Sequence, residues 1–213
     1  MTFLIVLLGW VFSLCLHEFS HALAAYLGGD TTVKDKGYLT FNPLKYTHPV
    51  YSLLLPMLFL LMGGIGLPGG AVYIERWRLK NRKWETLVSL AGPSANLLLA
   101  VVLGLFFNVT RIGDSAFGPA LAFLGFLQVS AVVLNLIPLP PFDGFGAIEP
   151  YLPMDARIKL AQTQGMFAWV VLLLLWQVPF IGGAFWGLVG LLARLAGIPL
   201  QLAALGLAQF RFW

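Results

Sequence analysis

The residues best suited to chemistry form one short motif near the start of the chain, His17-Glu18-Phe19-Ser20-His21. On a helix, side chains four positions apart lie one above the other on the same face, so both imidazoles can bind one zinc ion. Glu18 follows the first histidine and is placed to accept a proton from a water molecule, as the glutamate of H-E-x-x-H sequences does in metal-dependent hydrolysis. The motif predicts a zinc site with Glu18 as its general base.

The position of this motif adds to its weight. Glu18 follows 17 uncharged residues, and ionisable groups inside a membrane helix cost several kcal/mol and usually mark function. The alternative is a polar patch that faces other helices. Cys15 is the only cysteine, which excludes an internal disulfide and a cysteine-based zinc cage, and we expect it to be a small buried hydrophobe.

A third metal ligand must come from elsewhere, because a catalytic zinc usually has three protein ligands and keeps one position for water. Asp143 follows 28 uncharged residues and comes just after the proline-rich run 138–141, where prolines end a helix and free its backbone. His48 is the competing candidate. The alternative role of Asp143 is a helix-end cap at the membrane surface, and that of His48 is a surface or structural position.

The elements that must position these residues are long apolar helices. Of 213 residues, 59% are hydrophobic and 10% are charged, against roughly 25% charged in soluble globular proteins. The apolar residues occur in blocks, and a spanning helix needs about 20 of them. The first block has no basic residues before it and no cleavage signal, so we interpret it as a retained helix rather than a signal peptide. We predict helix A at about 3–27, helix B at about 86–109, helix C at about 117–137, and one or two further helices in 160–213.

The expected fold is an all-α integral membrane protein, a polytopic helical bundle of about four to six transmembrane segments, with room for a re-entrant or short β element near the active site. Segment 50–67 is short and interrupted by proline and glycine, which suits a re-entrant hairpin buried against protein. Gly69 and Gly70 precede 71–74, a pattern typical of a turn into a strand whose edge can add substrate backbone. Ordinary loop structure is the alternative there.

No repeat or long polar loop divides the chain. We therefore expect one membrane-embedded domain over 1–213, with the zinc-site core in 1–153 and C-terminal membrane segments in 160–213.

A second motif makes the first more specific: Asn135-Leu-Ile-Pro138-Leu-Pro-Pro-Phe-Asp143-Gly144. The pair resembles the HExxH and NxxPxxxxDG motifs of the site-2 proteases, a family of intramembrane zinc metalloproteases, in its compact branch without a PDZ domain. The likeness covers 17 to about 153 and includes three shorter matches: Phe41-Asn42-Pro43-Leu44-Lys45, Leu53-Leu54-Leu55-Pro56, and Ala91-Gly92-Pro93 with Asn96.

This resemblance implies that His17, His21 and Asp143 bind one Zn²⁺ and that Glu18 is the base. It also suggests that Asn135 contacts substrate backbone or orients the site, with Gly144 in the same motif; a plain interhelical hydrogen bond is the alternative for Asn135.

The chain departs from the family pattern at 44–49. The compact branch commonly reads LKHIDP where this chain has LKYTHP, so Tyr46 replaces a histidine and His48 replaces an aspartate. The departure leaves the three ligands and the base in place, and it bears on substrate entry or regulation if the segment lies near the site.

The shared site also predicts the topology. For the HExxH motif and Asp143 to meet, helices A and C must run parallel, so an odd number of crossings separates them. Helix B supplies one, and 50–67 should therefore not span. The side on which helix A ends carries a basic cluster and is cytoplasmic by charge: Arg76, Arg78, Lys80, Arg82 and Lys83. We expect a multi-pass protein of the cell membrane (plasma or inner) of a prokaryote, with zinc nearer the cytoplasmic face.

The expected function is that of a zinc metalloendopeptidase which hydrolyses peptide bonds in or near transmembrane segments during regulated intramembrane proteolysis. The expected partners are a membrane-protein substrate with a transmembrane helix and the lipid bilayer, with no nucleic acid; the oligomeric state stays open. One alternative is a non-proteolytic zinc-binding scaffold, against which the intact Glu18 argues. The other is a small metal or proton transporter, which would need inverted repeats or paired broken helices.

Overall fold

The computed structural model describes residues 1–46 and 72–211. These ranges contain nine α-helices: α1 (Thr2–Gly28), α2 (Thr32–Asp35), α3 (Arg82–Val109), α4 (Gly118–Asn135), α5 (Asp143–Ile148), α6 (Met154–Ala161), α7 (Gln164–Gln177), α8 (Pro179–Leu195) and α9 (Leu200–Phe210). Short 3₁₀ turns lie at Pro43–Lys45, Arg76–Arg78, Ile112–Asp114 and Glu149–Tyr151. No strand occurs within the two described ranges.

Three of these helices, α1, α3 and α4, are long and apolar enough to cross a membrane. They correspond to the predicted helices A, B and C. Helices α7 and α8 are bent by 93° at the break between them and count as a fourth span if the bent pair crosses as one. The predicted all-α polytopic bundle is thus confirmed, with three or four spans among the described residues.

The ends of the long helices follow from local sequence. Gly29 stops α1 in the left-handed region, at φ 119°, and its N–H bonds back to the last turn, the usual role of a C-terminal glycine. Asn81 caps α3 by accepting from the Trp84 N–H at 3.2 Å, as short polar side chains do at helix starts. Pro119 lies in the first turn of α4, where its missing N–H is harmless.

Helix α1 runs antiparallel to α3. His17, in the middle of α1, contacts Asn96, whereas Gly28, at the end of α1, lies against Trp84 at the start of α3. A residue further along α1 thus contacts a residue earlier on α3, so the two helices run in opposite directions.

Helices α1 and α4 run parallel, in agreement with the predicted topology. Gly9 lies against Leu124, and Ser13 is bonded to Gln128 four residues further along both helices. Helix α4 occupies the middle of the bundle, since 83% of its 18 residues are buried. Near the start of both helices and the end of α9, one core cluster joins them: Val6, Trp10, Leu14, Ala120, Phe123, Leu124, Leu127 and Phe210.

The outer faces of α1 and α3 are apolar and exposed. A surface of large exposed hydrophobic side chains is what a lipid-facing helix needs, and it is rare on soluble monomers. The side chains concerned include Leu4, Leu8, Phe12, Leu98, Val102 and Leu105. The protein is therefore a membrane protein.

The chain segments on either side of 47–71 pack together at one end of the bundle. The Lys80 N–H donates to the Gly28 carbonyl at 2.9 Å, and the Lys36 ammonium donates to Glu75 at 2.9 Å. The buried Asp30 carboxylate accepts from the Glu75 N–H at 2.7 Å. Segment 50–67, for which we predict a re-entrant path, lies outside the described residues.

Candidate metal centre

Helix α1 presents both histidines of the HExxH motif to the inside of the bundle. His17 and His21 are 6% and 7% exposed, and Glu18 between them is 4% exposed. The two rings meet edge to face, with centroids 4.7 Å apart. Their Nε2 atoms lie 3.0 Å from each other, so the four-residue spacing does place both imidazoles at one point.

Asp143 reaches the same point from the start of α5. Its Oδ2 lies 3.2 Å from Nε2 of His17, and its Oδ1 lies 3.4 Å from Nε2 of His21. Its position follows from the residues around it. The prolines after α4 turn the chain, and Gly144 lets α5 start close to the end of α4, because a Cβ there would meet the carbonyl oxygens of Leu136 and Ile137, the latter at 2.8 Å.

The other ring nitrogens of both histidines are held by oxygen acceptors. Nδ1 of His21 donates to the Val88 carbonyl at 2.6 Å, and Nδ1 of His17 lies 2.9 Å from Oδ1 of Asn96. Metal-binding histidines generally donate their second ring N–H to such groups, which fixes the tautomer and ring orientation. Both Nε2 lone pairs are thereby directed at the point shared with Asp143.

This donor set fits zinc. Ligand atoms about 2.0–2.1 Å from a tetrahedral zinc lie roughly 3.3–3.4 Å from one another, close to the observed separations of 3.0, 3.2 and 3.4 Å. Two Nε2 lone pairs 3.0 Å apart repel each other, so a cation between them is favourable. In the described ranges, His17, His21 and Asp143 are the one group of three such side chains close enough to hold a metal ion.

Helix α3 passes so close to these nitrogens that its Gly92 has no room for a side chain. A Cβ at this position would lie 2.5 Å from Nε2 of His17 and still closer to Nε2 of His21. The absence of a side chain on Gly92 therefore leaves open the space that a metal ion needs.

Glu18 stands beside the three-residue group rather than in it. Its Oε2 accepts a hydrogen bond from the Val72 N–H at 3.3 Å. Residues 72–75 belong to neither helix nor strand; Gly69, Gly70 and Ala71, in the predicted turn and strand start, lie outside the described residues, as does His48.

One cavity of about 480 Å³ opens onto the site. The three candidate ligands, Glu18 and residues 72–74 line it. An ion pair at its edge, Arg76 Nη1 to Glu149 Oε2 at 2.6 Å, joins the segment after Val72 to the turn after α5.

Asn135 is buried and lines this cavity as well as a second one of about 20 Å³. The small cavity is large enough for one water molecule and is also lined by Ser13, His17 and Asn96. Asn135 thus lies in the wall between the site and the interior of the bundle.

Several contacts at the site were missed by the sequence interpretation. The sequence assigns no role to Asn96 or Gln128. The argument applied to Asn135, that an amide in an apolar helix needs a partner, applies to both. The Glu149–Arg76 pair joins residues far apart in sequence, and no sequence pattern predicts it. The Val88 carbonyl is backbone, which no residue type marks.

A bundle of membrane-length helices with a histidine, histidine and aspartate donor set beside a glutamate is the arrangement expected of a membrane-embedded zinc metalloprotease. Comparison with known proteins agrees. The chain is 47% identical over 218 aligned residues to the Mycobacterium tuberculosis protein named "Putative zinc metalloprotease Rip2", with 99% of this chain and 81% of that protein covered. A Mycolicibacterium smegmatis protein of the same name is 46% identical, with the same coverage.

The Bacillus subtilis protein named "Putative zinc metalloprotease YwhC" is 32% identical over 195 residues, which cover 87% of this chain and 85% of that protein. The chain belongs to this site-2 protease family of zinc metalloproteases. No protein-family model matches it, and no solved structure is significantly similar.

Proposed function

We propose that this protein is an intramembrane endopeptidase that hydrolyses peptide bonds in or near transmembrane segments of membrane-protein substrates, as in regulated intramembrane proteolysis. One observation carries the proposal: His17 and His21, buried inside a bundle of apolar helices, converge with Asp143 at one point, and Glu18 lies beside them. The relatives named as zinc metalloproteases support the hydrolytic chemistry. The position of the site among membrane-length helices supports a substrate that reaches it within the bilayer.

In this proposal, Nε2 of His17, Nε2 of His21 and the Asp143 carboxylate hold a single zinc ion. When bound, zinc lowers the pKa of water toward about 7 and polarises the carbonyl of the scissile peptide. The hydrogen bonds to Asn96 and Val88 keep both imidazoles in place, so little reorganisation is needed when substrate arrives.

Glu18 acts as the general base. Its carboxylate takes a proton from the attacking water and returns it to the leaving amine. The Val72 N–H holds one carboxylate oxygen, so the segment that lines the cavity also orients the base. An ordered segment 72–74 would therefore be required for full activity.

Substrate enters the 480 Å³ cavity as extended chain. A transmembrane helix is about 10–12 Å across and hides its amides in internal hydrogen bonds, so it has to unwind before water can attack. Residues 72–74 line the cavity, and in this proposal their backbone is the edge to which an extended peptide adds. Asn135, in the cavity wall, is placed to contact the substrate backbone or to orient the site. Helix-breaking residues in the substrate favour cleavage.

The site is proposed to lie nearer the cytoplasmic face of the cell membrane of a bacterium. The basic residues around Arg78 lie at the same end of the bundle as the end of α1, and basic loops favour the cytoplasm. The relatives named above come from bacteria.

The test compares Glu18→Gln with the wild type for zinc content and for cleavage of a model transmembrane substrate in detergent or vesicles. The amide cannot accept a proton, while both histidines still bind. We expect zinc to be retained and cleavage to fall by about 10²–10⁴-fold, the usual contribution of a general base. Asp155→Asn makes the same chemical change at an exposed acid of α6 and should leave cleavage unchanged.

Two outcomes would contradict the proposal. Cleavage by Glu18→Gln within about tenfold of the wild type would remove Glu18 from the role of base. A wild-type protein that binds zinc and holds substrate without cutting it would be a scaffold.

A further inference from the structure

A line of buried polar side chains connects His17 to the backbone of its own helix by way of α3 and α4. The Ser13 hydroxyl donates to the Trp10 carbonyl at 2.8 Å, and Nε2 of Gln128 donates to the Ser13 oxygen at 3.0 Å. Nδ2 of Asn96 donates to Oε1 of Gln128 at 3.1 Å, which leaves Oδ1 of Asn96 facing Nδ1 of His17 at 2.9 Å. All four of these side chains are buried.

The direction of every hydrogen bond in this line is determined at its far end. The Trp10 carbonyl can only accept, so the single Ser13 proton points to it and the Ser13 oxygen must accept from Gln128. Gln128 then turns its carbonyl oxygen to Asn96, and Asn96 turns its carbonyl oxygen to His17. Nδ1 of His17 has to be the donor, which leaves the lone pair on Nε2.

His21 does not need such a line. Its Nδ1 donates to the Val88 carbonyl, a backbone acceptor that cannot reverse. The partner of His17 is an amide side chain, which can rotate and present either its oxygen or its nitrogen. Only His17 therefore depends on side chains for the position of its proton.

We propose that Ser13, Gln128 and Asn96 are positioning residues that hold His17 in the tautomer with the proton on Nδ1, and so keep its Nε2 free for the metal. This inference rests on the proposed metal site. Reversal of Asn96 alone would place two donors face to face among buried side chains, where unmatched polar groups are strongly disfavoured. Loss of the Ser13 or Gln128 bond removes that constraint.

The first measurement uses the full chain without metal, labelled with ¹⁵N-histidine. The chain has three histidines, so the His17 signals can be assigned with one His17→Gln variant. We expect the proton on Nδ1 in the wild type. In Ser13→Ala, we expect a mixture of tautomers at His17 and an unchanged His21.

Ser130→Ala is the matched control. Ser130 is buried in α4 and donates to the carbonyl three residues earlier at 2.8 Å, as Ser13 does in α1. It is not part of the line to His17, so this variant should keep the wild-type tautomer.

The second measurement is zinc affinity by competition with a chelator. Loss of an outer-shell partner of a metal-binding histidine typically lowers affinity about 10–100-fold, and we expect this of Ser13→Ala and Gln128→Met but not of Ser130→Ala. Gln128→Glu is the rescue. The neutral form of a carboxyl group can accept from Asn96 while donating to Ser13, so the zinc affinity of this variant should stay close to that of the wild type.

Three results would overturn the inference: an unchanged His17 tautomer in Ser13→Ala, an equal loss of affinity in Ser130→Ala, or a loss in Gln128→Glu as large as in Gln128→Met. The last would mean that an acceptor toward Asn96 and a donor toward Ser13 are not what maintains the affinity. If Gln128→Met does not fold, Ser13→Ala and its control still decide. A wild-type chain with the Nδ1 proton but no zinc affinity would overturn the metal site instead, and the tautomer measurement separates the two failures.

Discussion

The substitution Gly92→Ala tests the geometry of the metal centre directly. The added methyl group would lie 2.5 Å from Nε2 of His17 and against Nε2 of His21. Ordinary contacts between such atoms are about 3.5 Å or longer, so the nitrogens would have to retreat by roughly 1 Å. The three atoms nearest to the methyl group would all belong to the two histidines.

Neither histidine can retreat freely. Nδ1 of His17 is bonded to Asn96 at 2.9 Å, and Nδ1 of His21 is bonded to Val88 at 2.6 Å, so a 1 Å shift breaks one or both bonds. Each such partner is typically worth about 10–100-fold in metal affinity. We therefore expect zinc affinity to fall by at least about 10-fold, and by at least about 100-fold if both bonds break.

The helix propensity of α3, by contrast, should rise. Alanine in place of glycine within a helix favours the helix by roughly 0.5–1 kcal/mol, so α3 itself is not weakened. Gly187→Ala in α8 is the matched control, because a Cβ there meets nothing within 4 Å. Both variants gain the same helix propensity, and only Gly92→Ala crowds the histidines.

The assay is chelator competition for zinc on both variants and the wild type, with helix content and thermal unfolding in the same detergent. We expect the three proteins to have equal helix content and only Gly92→Ala to lose zinc. If Gly92→Ala held zinc as tightly as Gly187→Ala, α3 could not lie where it does, and the fit of the three ligands to zinc would have to be abandoned.

Asp143→Ala should lose zinc in the same competition assay while His48→Ala retains it, and the reverse result would make His48 the third ligand. Hydrogen bonds from Arg78 and Lys36 lower the pKa of Glu75 to about 2. The stability that these bonds contribute is fully present above the ordinary pKa of about 4.5 and is lost as the pH falls toward 2. Glu75→Gln should therefore flatten this part of the acid unfolding curve, and a curve unchanged from the wild type would contradict the prediction. In a chain whose native cysteine is replaced, cysteines at positions 40 and 78 should react with impermeant reagents from one face of the membrane. A cysteine between α3 and α4 should react from the other face. Labelling of 40 and 78 from opposite faces would make 50–67 a true span.

The sequence predicted those parts of the structure that depend on fixed periods. The spacing of His17 and His21 sets their shared face because the helical repeat does not vary. The parallel course of α1 and α4 followed from the need for both to reach one metal. The turn that carries Asp143 was predictable because proline cannot continue a helix.

Other features depend on the rotation of one helix against another, which a single sequence does not encode in any short pattern. Asn96 and Gln128 are 32 positions apart, and each could equally have faced lipid or another helix. The close pass of α3 at Gly92 is of the same kind. A glycine in an apolar helix suggests a close approach but does not say to what.

The polar side chains that set these rotations also hold a candidate metal ligand in place. Between helices in lipid, apolar contact gives little directional preference, because lipid tails are as apolar as leucine. Polar contacts therefore carry more of the information about register. The bond from Asn96 to Gln128 fixes α3 against α4, and the bond from Asn96 to His17 fixes α3 against α1. A change that turned Asn96 away would move Gly92, one turn earlier on α3, relative to the histidines. The orientation of His17 and the space for its metal would then be lost together.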